Sequence, residues 1–198
     1  MRAALRHPAA WWAVLLAGLM PLAWLVAQTL QDQLGANPAE ALIRATGDWT
    51  LRGLCVVLAV SPLRNLLGWP ELARFRRMLG LWVFAYASLH LLSYAWFDMG
   101  FDLADTLKDI VKRPFIWLGF SAFVILLALA ATSFNRAVRW LGGRRWLLLH
   151  QGVYAVAVLA VLHFWWMRAG KQDFAEVLVY AGVLAGLLGW RVWRGLRR

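Results

Sequence analysis

Six apolar runs, each close to twenty residues and joined by short basic connections, leave this chain few ways to fold. They lie at about Trp11–Leu30, Trp49–Leu67, Met78–Phe97, Phe115–Phe134, Trp146–Trp166 and Phe174–Trp193. A helix needs roughly 20 residues to cross the hydrocarbon core of a bilayer. The pattern predicts an all-α integral membrane protein, a six-helix bundle forming a single domain over residues 1–198. Composition points the same way: 62% of the residues are hydrophobic and fourteen are tryptophan, more apolar surface than a soluble domain this small can hide. The second run is the least regular, with Arg52 near its start and Pro62 near its end. The N-terminal run is longer than a secretory h-region and lacks a small-x-small cleavage pattern, so it is expected to be kept as the first span. Gly182, Gly186 and Gly189 in the last run would permit close helix packing, or are simply tolerated there.

The formal net charge is +11. On a soluble domain this would suggest nucleic acid, but here the basic residues sit between apolar runs and point to a membrane surface. Fourteen of the 21 Lys and Arg fall on one set of ends (Arg2, Arg6, Arg64, Arg74, Arg76, Arg77, Arg136, Arg139, Arg144, Arg145, Arg191, Arg194, Arg197, Arg198), and seven on the other. Nine of the ten acids lie on the second side, Glu71 being the exception. By the positive-inside rule both termini are then cytoplasmic. The connection Asp98–Arg113 is the largest external feature and the candidate docking surface for a partner. The single cysteine, Cys55, excludes an intramolecular disulfide.

Histidines within the spans carry the chemistry. His7 lies in the N-terminal tail, whereas His90 is in the third span and His150 and His163 are in the fifth. Threaded from the cytoplasmic side, His90 and His163 fall at similar depth in the outer half, and His150 lies about 20 Å from His163 in the inner leaflet. A buried imidazole in lipid either hydrogen-bonds to a neighbouring helix or serves a function. Two at one depth on different helices match the axial pair of a haem iron. Zinc would want a closed set of Cys, His and carboxylate ligands, and a proton path would want acids near mid-span; the spans offer neither. Ala85, Ala87 and Ser88 near His90, and Ala157 and Ala160 near His163, are small enough to line a slot. Thirteen residues separate His150 from His163, leaving them about 140° apart on an ideal helix, so either the span is kinked or two haems are approached from different sides.

The segments RRMLGLWVFAYASLHLLSY (Arg76–Tyr94), SPLR (Ser61–Arg64), KRPF (Lys112–Phe115) and LHQGVY (Leu149–Tyr154), with the later His163, resemble the haem-binding membrane subunits of the bacterial periplasmic methionine-sulfoxide reductase system, the MsrQ (formerly YedZ) family. That family lies within the ferric reductase-like transmembrane superfamily, and the resemblance covers nearly the whole chain. It implies a multi-pass protein of the bacterial inner membrane that conducts electrons through haem b rather than a catalytic subunit. Donors would be the quinone pool or a cytosolic flavin reductase. The acceptor would be a periplasmic molybdopterin reductase that repairs oxidised methionines, and FMN is associated with the family. On this pattern His90 and His163 ligate an outer haem and His150 an inner one, giving one or two haems. In the oxidase branch a second histidine stands fourteen positions before the outer one in the third span; here that position is Arg76.

Haem propionates would pair with Arg52, and an FMN phosphate or inner propionates with Arg74, Arg76 and Arg77, although snorkelling and positive-inside bias also account for these arginines. Tyr86 and Tyr94 lie one turn on either side of His90 and share its face. No G-x-G-x-x-G fingerprint and no soluble dehydrogenase domain is present in the sequence, so donor and acceptor are separate molecules. Two other functions fit the residues: a stand-alone ferric or quinone reductase-like cytochrome b, and a non-redox transporter or scaffold whose histidines only hydrogen-bond between helices.

Overall fold

The computed structural model describes residues 2–196, so Arg197 and Arg198 of the basic set lie outside the described residues. The described chain is helical almost throughout. Its helices are α1 (Arg2–Arg6), α2 (Pro8–Leu30), α3 (Pro38–Leu66), α4 (Arg76–Phe97), α5 (Leu103–Lys112), α6 (Pro114–Ala131), α7 (Asn135–Leu141), α8 (Gly143–His150), α9 (Gly152–Ala169) and α10 (Ala175–Leu196), with a 3-10 turn at Pro70–Phe75. Five segments are long and apolar enough to cross a membrane: α2, the 3-10 turn with α4, α6, α8 with α9, and α10.

The starts of these helices follow from local chemistry. Proline occupies the first turn of α2, α3 and α6, where its missing N–H costs nothing. The side chains of His7 and Asn37 accept the amides of Ala9 and Glu40, capping α2 and α3. α3 begins at Pro38, eleven residues before the apolar run that marks it in the sequence. Glu40, Arg44 and Asp48 hide its first three turns from a hydropathy reading, yet they are accommodated on the helix, where Glu40 and Arg44 form an i,i+4 ion pair. At 29 residues α3 is about 43 Å long.

The chain divides into two compact halves, Met1–Asp98 and Met99–Arg198. In the first, α3 and α4 form the principal pair and α2 packs against both. Its core is made by Leu51, Leu54 and Leu58 of α3 with Val83 and Tyr86 of α4. The N-terminus is pinned to the 3-10 turn: Arg6 donates twice to Glu71 Oε1 (2.8 and 2.6 Å), and Arg74 donates to the carbonyls of Leu5 and Arg6 (3.1 and 2.9 Å). α2 contains Pro21, and the Tyr86 hydroxyl reaches it one rung later, donating to Gly18 O (2.8 Å) and accepting from Leu22 N (3.0 Å).

In the second half α6 and α9 form the principal pair, with α10 against α9 and α5 against α6. The connection Asp98–Arg113, expected as a loop, holds the ten-residue helix α5, capped by Asp102 and buried through Thr106 and Ile110. Sequence hydropathy passes over it because its apolar residues occupy only one side. Arg168 closes the α9–α10 turn on Asp173 (3.2 Å) and Glu176 (3.1 Å). The glycine ladder of α10 is not a packing seam: among the described residues, a Cβ on Gly182, Gly186 or Gly189 would meet nothing within 4 Å.

Candidate functional site

Each half presents one histidine in the same way. His90, on α4, is half-buried, with Nδ1 2.8 Å from the carbonyl oxygen of Ile43 on α3. His163, on α9, is also half-buried, with Nδ1 2.6 Å from the carbonyl of Phe115 on α6. A carbonyl can only accept, so in the neutral ring the proton sits on Nδ1 and the lone pair on Nε2. A metal-ligating imidazole is ordinarily oriented in this way, by its other nitrogen donating to a carboxylate or carbonyl. The two rings therefore fit iron ligation through Nε2.

His150 is arranged differently. It ends α8, stacks on Trp146 with centroids 3.9 Å apart, and places Nε2 3.1 Å from Thr132 Oγ1 at the C-cap of α6. The Thr132 hydroxyl donates to Ala128 O (2.7 Å), which leaves its oxygen to accept the Nε2 proton of His150. The lone pair of that imidazole is then on Nδ1. A turn residue breaks the helix between the two histidines. At Gln151, between α8 and α9, the amide approaches three successive carbonyls, Leu147 to Leu149, and ψ opens to −16°. Tightened there, the strand of helix brings both histidines to α6, His150 at one end and His163 at the other.

The candidate arginines of the first half have partners within the chain. Arg74 bonds main-chain carbonyls of α1, and Arg76 donates through Nη2 to Ser61 Oγ (2.7 Å). Arg77 is exposed. Arg52 does not stand at the end of its helix, because the early start of α3 puts it fourteen residues from Pro38 and fourteen from Leu66. It is exposed there, with its guanidinium 4.8 Å from the Trp49 ring centroid.

The other residues expected near the histidines have these surroundings. The Tyr86 hydroxyl is committed to α2, the Ser88 hydroxyl donates to Phe84 O (2.8 Å), and Ala87 and Ala157 are buried. Phe164, beside His163, is also buried, against Tyr180 with centroids 6.3 Å apart, and so does not share the exposed belt of Trp165 and Trp166. Among the described residues no three His, Cys, Asp or Glu side chains gather to hold a metal ion. Sequence reading missed Gly47 and Gly119, which face the rings of His90 and His163. Their signal was present as nearly equal spacing, with glycine 43 residues before one histidine and 44 before the other.

These features define a multi-pass, all-helical membrane protein whose helix pairs each hold a backbone-anchored imidazole. The model of the ferric reductase like transmembrane component family matches residues 9–161. The chain is 64% identical over 189 residues, 96% of its length and 86% of the relative's, to the protein-methionine-sulfoxide reductase heme-binding subunit MsrQ of Polaromonas naphthalenivorans. Its identity to the proteins of that name is 54% in Herminiimonas arsenicoxydans (90% of this chain, 82% of the relative) and 55% in Ralstonia nicotianae (94% and 87%). The chain therefore belongs to the ferric reductase-like transmembrane family and, within it, to the MsrQ group, as a multi-pass protein of the bacterial inner membrane. No solved structure matches it.

Proposed function

We propose that this chain is the haem b electron-transfer subunit of a methionine-sulfoxide reductase system, with His90 and His163 as the axial pair of an outer haem. The observation that carries this reading is the shared anchoring of the two rings, each donating from Nδ1 to a helix carbonyl as metal-ligating imidazoles ordinarily do. The names of the relatives, each a heme-binding subunit, support it. Haem supplies one-electron chemistry; the chain's own residues orient the ligands, bury the site and set the dielectric around it. His150 would be the ligand of a second, inner haem. Arg52 would pair with haem propionates, and Arg74, Arg76 and Arg77 would contact an anionic donor such as FMN or inner propionates.

In this reading α3 is a sixth span, the whole chain is one transmembrane domain, and both termini are cytoplasmic, following the fourteen-to-seven bias in basic residues. A quinol or a reduced cytosolic flavin gives up two electrons, one at a time. A periplasmic molybdopterin subunit uses them, with two protons, to turn a sulfoxide into thioether and water. The test is the visible spectrum of the purified chain: a reducible b-type spectrum, weakened in His90→Ala and in His163→Ala, supports the proposal, and a colourless folded protein rejects it. Activity with an added periplasmic reductase separates this role from that of a stand-alone ferric reductase.

A further inference from the structure

The two halves carry the same device around their outer histidines. In a helix the carbonyl of residue i already accepts the amide of residue i+4, and the side chain of i+4 lies over that carbonyl and covers its second lone pair. His90 bonds the carbonyl of Ile43, and residue 43+4 is Gly47; His163 bonds the carbonyl of Phe115, and residue 115+4 is Gly119. Glycine leaves the second lone pair uncovered. A Cβ at Gly47 would stand 3.1 Å from both Nδ1 and Cε1 of His90. At Gly119 it would stand 2.9 Å from Nδ1 and 3.0 Å from Cε1 of His163. All four distances are shorter than ordinary van der Waals contact, so the rings lie where a side chain would otherwise be.

The correspondence extends to the other ends of the hairpins. Arg76, fourteen residues before His90, bonds Ser61, which is fourteen after Gly47. His150, thirteen before His163, bonds Thr132, which is thirteen after Gly119. The chain thus repeats one helical hairpin. The glycine–carbonyl–imidazole level is kept in both copies, and the other level differs in chemistry.

We propose that Gly47 and Gly119 are positioning residues for the iron ligands: by uncovering the carbonyls of Ile43 and Phe115, they fix the tautomer and rotation of each imidazole and strengthen donation from Nε2. This rests on the ligand roles proposed above for His90 and His163. A methyl group at either glycine pushes the ring off by a few tenths of an ångström and stretches the Nδ1–H···O bond. The weakened bond lowers the basicity of the ligand, so the ferric state loses support and the reduction potential rises.

Full-length Gly119→Ala and Gly47→Ala chains, with Gly182→Ala as a control at an open position, test this by redox titration and by EPR of the ferric protein. The expected result is an upward shift in potential and altered g-values, larger for Gly119→Ala than for Gly47→Ala and absent for Gly182→Ala, with haem retained. A wild-type potential and EPR spectrum in both glycine variants would overturn the proposal. Should Gly119→Ala fail to fold, nitrogen-15 NMR of histidine-labelled wild-type chain decides: His90 and His163 protonated at Nδ1 support it, and either ring protonated only at Nε2 rejects it. A wild-type chain without haem absorption rejects the ligand roles themselves, an outcome distinct from haem-bearing variants that behave as wild type.

Discussion

Tyr86→Phe removes one oxygen atom and two hydrogen bonds between helices. Pro21 lacks an N–H, so the ladder of α2 is already interrupted there, and the hydroxyl of Tyr86 stands between Gly18 O (2.8 Å) and Leu22 N (3.0 Å), groups that would bond each other in a straight helix. Hydrogen bonds between membrane helices average about 0.6 kcal/mol and reach about 1.7 kcal/mol, so the pair is worth about 1–3 kcal/mol. The variant should unfold in mixed micelles at lower denaturant, by that amount in free energy, with tryptophan fluorescence as the probe. Coupling sharpens the test. With Pro21→Ala, α2 regains a full ladder, can close Leu22 onto Gly18 directly, and so needs the hydroxyl less. The Tyr86→Phe penalty should then shrink in the Pro21→Ala background. An unchanged midpoint for Tyr86→Phe, or an equal penalty in both backgrounds, would refute the bridging role.

Two further outcomes are expected. With Cys55→Ser as background, single cysteines at Gln33 and Gly68 should be labelled from opposite faces of the membrane, Gln33 from the periplasm; labelling from one face would remove α3 as a span. The pyridine haemochrome assay should give two haems per chain in the wild type and one in His150→Ala, while Thr132→Val, which releases the ring without removing it, keeps two; an unchanged ratio in His150→Ala would reject the inner site.

The sequence made the apolar helices legible because lipid demands long uninterrupted runs, and α2, α4, α6, α9 and α10 all lie where those runs fall. It concealed the first turns of α3, where Glu40, Arg44 and Asp48 resemble a loop although helix geometry pairs two of them. It also concealed α5, whose apolar residues face one way only. The three histidines were visible by their rarity in such segments. Their hydrogen bonds were not, because the partners of His90 and His163 are main-chain carbonyls, and any residue has one. Glycine was the one readable trace of those contacts, and it was hidden among the sixteen glycines of the chain. The break at Gln151 is followed by Gly152, but glycine is common in membrane helices, so the joint reach of His150 and His163 to α6 could be posed from the sequence only as a geometric question.

The most direct measurement is the ferrous-minus-ferric spectrum of the purified chain beside His90→Ala and His163→Ala, each normalised to folded protein. Paired ligation predicts a b-type α-band in the wild type and loss of the same low-spin component in either variant. Two variants that fold and keep the full wild-type band would contradict it.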